Sequence, residues 1–414
     1  MAITIEQSPG SVQPAYNDLV YVVSSTNTAE ENFQFVADVY ISGVTSPTYY
    51  RFKKPPHPTH SVGVFDIHRI MENYVSHDIN TTTYGFQENT NSWKQYQVKF
   101  GEEYGESSAI VVTADMTSSG SGEVFNGALG FIDYKDFPQS SYLISSGFKL
   151  FLTNAPNTQN IYTDENAWLH MMTNTSGSIY FARVRTYDDY DAGGSIIATH
   201  QIINPYTDSE ADENGQYIRF GCGTKNLNLI EAAKFFSGAQ SIITAATKSY
   251  TVFIQNSVGS TVSETVTFNI RDKCSRYDSY RLHFLNKLGG FDSLTFDMVA
   301  VETTDISRTL FKKTVGTTTA TTFSYAKSDK ENQELSVMYQ DTLTMESNWI
   351  TEAEGTWLEE LVHSPVVFLD HATHGLIALN ITKARHTKRK DDVDKLINIQ
   401  IEAKYSFNNS RQRG

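Results

Sequence analysis

Apolar residues in this chain recur with a period of two, and that rhythm limits what it can fold into. Phe33, Phe35, Ala37, Val39 and Ile41 fall on alternate positions of NFQFVADVYI. Tyr250, Val252 and Ile254 do the same in SYTVFIQ, and Val266, Phe268 and Ile270 in TVTFNI. Leu294, Phe296, Met298 and Ala300 form another run, and Ile397, Ile399, Ile401, Ala403 and Tyr405 a last one. Successive side chains of a strand point to opposite faces, so each run reads as a half-buried antiparallel strand. Clusters of small polar residues, such as Thr117–Gly122 and Asp188–Gly194, mark turns between strands.

Helical spacing is scarce. Ile67, Ile70, Met71, Tyr74 and Val75 form one short amphipathic stripe, with Asp66 as its expected N-cap. Trp357, Leu358, Leu361 and Val362 form a second, stopped by Ser364-Pro365. Leu229–Phe236 is a weaker third. The expected fold is mainly β: several antiparallel β-sandwich or barrel domains with two or three short helices. A chain of 414 residues exceeds one ordinary core, and three segments are expected. Residues 1–112 read as an immunoglobulin- or fibronectin-like sandwich, 113–275 as a middle β domain, and 276–414 as a C-terminal β domain with one helix.

Composition excludes several function classes. Charged residues make up 19% of the chain and the net charge is −14, which argues against wrapping nucleic acid, since phosphate binding is built from Lys and Arg. Aromatic residues reach 12%, enough to fill cores, so the chain is not of the disordered kind. No apolar run approaches the roughly 20 residues of a membrane span. The start, Met1-Ala2-Ile3-Thr4-Ile5-Glu6, lacks a basic region followed by an apolar core, so synthesis in a cytoplasm is expected. Cys222 and Cys274 read as two buried thiols and not as a bridge.

Catalytic signatures are missing. The sequence contains no G-x-x-x-x-G-K, G-x-S-x-G or H-E-x-x-H, and Gly120-x-Gly122 lacks the third glycine of a dinucleotide turn. Asp208–Gly215 resembles a calcium loop, but Glu213 stands where the sharp turn needs glycine, so a solvated acidic turn is expected. His371 and His374 would diverge on a strand or turn, and His57 and His60 sit in a proline-rich stretch expected to be an extended linker. Trp357 lies on an apolar helix stripe and is expected in a core. These readings give a non-enzyme with no catalytic residue, no metal and no cofactor.

One concentrated charge feature remains. Six basic groups lie between Lys383 and Lys390, placed by the flanking strand patterns at a hairpin tip. Lys383, Arg385, Lys388, Arg389 and Lys390 are therefore a candidate contact loop for an acidic partner subunit, or for DNA passing nearby.

Several phrases carry a resemblance. They are Val124–Leu129, Phe151–Pro156, Glu165–Met172, Ser279–Phe296, Trp349–Leu369 and Ile397–Arg413. Together they resemble tail and neck structural proteins of tailed bacteriophages, especially those of Bacteroidetes-type hosts, crAss-like or related. The resemblance implies a virion component assembled in the host cytoplasm: a homo-oligomeric ring of the hexamer or dodecamer kind, an adaptor, or a distal-tail or baseplate-hub subunit contacting other tail proteins. It names no functional residues. Extended segments at Ile3–Asn17 and Tyr405–Gly414 would suit reaching onto adjacent subunits. A receptor- or carbohydrate-binding tail module is the alternative, and a polysaccharide hydrolase a third reading.

Overall fold

The computed structural model describes residues 3–82, 84–106, 111–112, 116–145, 147–173, 178–206, 217–238, 241–273, 276–385 and 398–412, without the side chains of Val111, Val112, Ala384 and Arg385. The chain is mainly β, and the helices among the described residues are short, the longest being the six residues of Glu352–Trp357. No helix among the described residues is long and apolar enough to cross a membrane. Two compact units form: Met1–Asp272 with Leu285–Ser293, and Lys273–Phe284 with Leu294–Gly414.

The first unit contains two sandwiches. In one, the three-stranded sheet Ile3–Gln7, Val20–Ser25 and Gly63–Asp66 faces a larger sheet. The larger sheet orders Val12–Pro14, Thr117–Phe125, Trp93–Tyr104, Gln34–Ile41 and Tyr50–Lys54, with Val111–Val112 off the path. Val23, Phe35, Ala37, Val39, Phe65, Val98 and Phe100 fill the space between. The alternating run at 33–41 thus supplies the inner face, as its period predicts. Asp38, on the opposite face of that strand, is buried and holds Arg51 through two hydrogen bonds of 2.7 and 2.6 Å. Strand Thr117–Phe125 lies past the expected boundary at 112, yet it completes this sheet by pairing with Trp93–Tyr104.

The second sandwich sets the six-stranded sheet Thr158–Tyr162, Val266–Arg271, Ser249–Gln255, Phe181–Tyr187, Ile196–Ile203 and Phe235–Ser237 against a three-stranded one. The latter comprises Trp168–Met172, Tyr217–Gly221 and Phe86–Glu88. Leu169, Met171, Ile218, Phe220, Val184, Val252 and Phe268 share the core. Ser249–Gln255 is buried along its whole length and not half-buried as expected: Tyr250, Val252 and Ile254 enter the core, and on the other face the Arg185 guanidinium lies over the Phe253 ring at 5.0 Å while Arg183 and Gln201 donate to the Gln255 side chain.

The second unit is built on one eight-stranded sheet. Its strands within this unit run in the order Tyr280–Leu285, Val367–His371, Gly375–Arg385, Gln400–Tyr405, Asn332–Glu346 and Ala300–Lys312, with Asn409–Ser410 alongside Asn332–Glu346. Trp357 is buried and meets the Phe284 ring at 5.7 Å, the core role its helix stripe predicts.

Several local expectations are corrected. Near residue 67 the helix is a single turn, His68–Met71, whose N-cap is Ile67. Asp66 acts from one position further out, accepting the N–H groups of His68 (3.1 Å) and Leu19 (3.0 Å). Leu229–Phe236 forms only a three-residue 3-10 turn, Ala232–Lys234, and no α-helix. The helix there lies upstream at Thr224–Asn228, and Phe235–Ser237 is an edge strand. The helix around Trp357 starts at a capping box, in which Thr351 Oγ1 accepts the Glu354 N–H (3.3 Å) and the Glu354 carboxylate accepts the Thr351 N–H (2.8 Å). It breaks at Leu358 into a second piece, Glu359–His363. Both terminal segments fold onto their own chain: Ile3–Gln7 pairs with Val20–Ser25, Val12–Pro14 with Glu123–Phe125, and Asn409–Ser410 with Met338 and Tyr339. These pairings tie both segments to their own chain at the described residues.

Candidate assembly interface

Strands Ala300–Lys312 and Asn332–Glu346 pair in register from Ala300↔Met345 to Lys312↔Asn332, with one bulge between Thr309 and Leu310. Near its base the pair belongs to the sheet, where Leu343 and Met345 are buried and Gln400–Tyr405 lies alongside. Further out its partner among the described residues is only Asn409–Ser410, and from there to the tip those residues show a two-stranded ribbon. Val301 to Lys312 are all exposed. Val, Ile and Thr keep the strand extended through their stiff χ1 preference, which needs no burial.

The tip is tightly turned. Gly316 has φ +102°, a backbone that strains any other residue, and an added Cβ would lie 2.5 Å from the Phe323 ring. Thr317–Thr318 pairs with Phe323–Ser324, and the Thr319 N–H donates to the Thr322 carbonyl at 2.8 Å. Phe323 and Tyr325 meet edge to face at 4.9 Å. Ion pairs Arg308–Glu334 (2.8 Å) and Lys312–Glu331 (2.7 Å) bridge the two strands. Exposed pairs of this kind add little stability.

This arm displays Ile306, Leu310, Phe311, Phe323, Leu335 and Met338 to solvent, together with Tyr325 at 71% exposure. An isolated two-stranded ribbon is marginal in water, and scattered burial cannot hold one of this length. Its outer strand, Ala300–Lys312, is paired on one side only among the described residues, leaving a run of open backbone donors and acceptors. Exposed apolar groups beside an open edge are what a binding surface requires.

The expected contact loop is placed only in part. Lys383 lies on Gly375–Arg385, where its Nζ meets a Glu402 carboxylate oxygen at 3.1 Å. That bond holds the Glu402 carboxyl below its ordinary pKa, so Lys383 already has an internal partner. Arg385 is opposite Gln400 in the same antiparallel pair. Lys388, Arg389 and Lys390 lie outside the described residues, as do Cys274 and the acidic turn Asp208–Gly215. Cys222 is a buried thiol.

Both histidine pairs depart from expectation. His371 and His374 stack at 4.7 Å because residues 372–374 turn the chain back, with the N–H groups of Thr373 and His374 donating to His371 Nδ1. His57 and His60 stack at 5.3 Å across a turn closed by Ser61 N–H to the His57 carbonyl, and not along an extended linker. One cluster escaped the sequence entirely: Asp18, Asp66 and His68 offer ligand atoms within 4.8 Å of one another. Asp66 there is committed to two backbone N–H groups and to the His68 ring at 2.6 Å; burial pushes its carboxyl up, but the hydrogen bonds from His68 and Leu19 and the His68 charge together hold it below its ordinary pKa. Of the tryptophans, Trp93, Trp168 and Trp357 are buried, and Trp349 is 62% exposed.

No family model matches the chain, and no curated protein matches it.

Proposed function

We propose that this chain is a structural subunit of a bacteriophage tail, a ring, adaptor, distal-tail or baseplate-hub component, and that it works through subunit contacts. The observation that carries the reading is the arm of residues 300–346: a long ribbon too exposed to be stable for its own sake, with apolar side chains and an open strand edge. The phage-tail phrases in the sequence give the class of assembly. Sandwiches with interlocked strands supply rigid bodies, and the arm supplies the connector.

The test is to shorten the arm in a phage that encodes this protein and to measure the protein content of purified particles. The shortened chain is expected to be lost from particles, together with whatever assembles after it. Particles that carry it at full copy number and infect normally would overturn the proposal.

A further inference from the structure

We infer that the outer half of the arm docks on the acidic surface of a second copy of this chain, giving a head-to-tail contact. The inference rests on the assembly reading and names the partner. Its basis is a charge division along the ribbon. Between Ser307 and Ser336 the chain carries Arg308, Lys312, Lys313, Lys327 and Lys330 against Asp329, Glu331 and Glu334. Five cations against three carboxylates leave the outer half at +2, while the whole chain is at −14, so the remainder carries −16. The inner part of the arm is acidic, with Glu302, Asp305, Asp341 and Glu346.

Lys313 and Lys327 have no carboxylate within ion-pair distance among the described residues, whereas Arg308, Lys312 and Lys330 do. Their charge is therefore available to an external acidic surface. Beside them stand Phe323 and Tyr325, aromatic groups of the type that anchor interfaces when a partner excludes water from them. Two outer halves placed tip to tip would repel each other. An outer half placed on the body of another copy would be attracted, and would be guided there from a distance. A contact between two different surfaces of one chain propagates around an axis and closes into a ring when the rotation allows.

The full chain tests this, with Tyr325 replaced by a photoreactive phenylalanine analogue and isotope-labelled chain mixed with unlabelled. Cross-links between copies are expected to join position 325 to peptides outside residues 300–346. Sedimentation is expected to show mass above one chain at ~10–100 µM, a range set by a modest association constant. Lys313→Glu with Lys327→Glu should weaken self-association about tenfold, as should a rise in salt that screens exposed charge. Phe323→Ser with Tyr325→Ser should abolish it, while circular dichroism and the unfolding midpoint stay at wild-type values because these side chains are exposed. Cross-links from tip to tip, or a single-chain mass throughout, would overturn the inference. A chain that stays monomeric, yet needs its arm to enter particles, would refute the second-copy partner and leave the tail role standing.

Discussion

Burial holds the His170 imidazole in its neutral form. The imidazole is enclosed, with Asn89 at 3.1 Å from Nδ1 and Arg219 nearby, and desolvation followed by the Arg219 charge drives its pKa well below 6.5. The unfolded chain takes up a proton near pH 6.5 that the native state refuses, so the contribution of His170 to stability is present above that pH and lost as pH falls below it. Urea unfolding at pH 7.5 and 5.5 should show wild-type protein losing stability on acidification, and His170→Asn losing less of it. Equal losses in both would refute the assignment. Gly223 makes a second test. Its added Cβ would lie 2.4 Å from both the Ala167 nitrogen and the Glu165 carbonyl oxygen, backbone atoms with nowhere to go. Gly223→Ala should therefore cost about 1–3 kcal/mol in denaturant titration, against no change if the loop relaxes. Neither effect is legible in the sequence, since His170 and Gly223 owe their surroundings to strands far away in the chain. Trp357 was legible, because its burial follows from a local apolar stripe.

Elements were readable where apolar residues recur at every second position, even though Val36 and Asp38 on the other face of Gln34–Ile41 are buried as well. The run at 33–41 declares itself through Phe35, Ala37 and Val39, whose side chains all reach one core. The arm does not, because both faces of Ala300–Lys312 meet solvent and burial imposes no alternation on VETTDISRTLFK. Its signals are Thr-rich strand propensity and apolar residues without a matching period, which are weak. The short helices were legible only in position: the stripes at 67–75 and 357–362 each meet a helix, but four to six residues show a 3.6 repeat weakly and local caps decide their ends. The arm is expected to be separable from its sheet. Replacing residues 306–339 with Asn-Gly, a turn that suits joining Asp305 to Gln340, removes mostly exposed surface. The unfolding midpoint of the shortened chain should stay close to that of the parent, measured by circular dichroism. Collapse of the remaining sheet would show that the ribbon is structural to its own unit.

At the scale of the whole molecule, the sequence showed a mainly β chain with little charge and no catalytic signature, and the structure agrees on the fold. The proposed contact surface is the ribbon at 300–346, which the letters did not single out because exposure of apolar groups is a property of the fold, while the Lys383–Lys390 run lies mostly outside the described residues. Association should depend on ionic strength: light scattering of the purified chain is expected to report smaller species as salt rises, since the contact couples a basic tip to an acidic body. Growth of the species with salt would point instead to a purely apolar contact. Imaging of intact virions, averaged on the tail axis, bears most directly on the claim that this chain holds neighbours in place. The account predicts several copies around the axis, each with its 300–346 ribbon lying against an adjacent chain; ribbons projecting into open solvent, or particles without the protein, would contradict it.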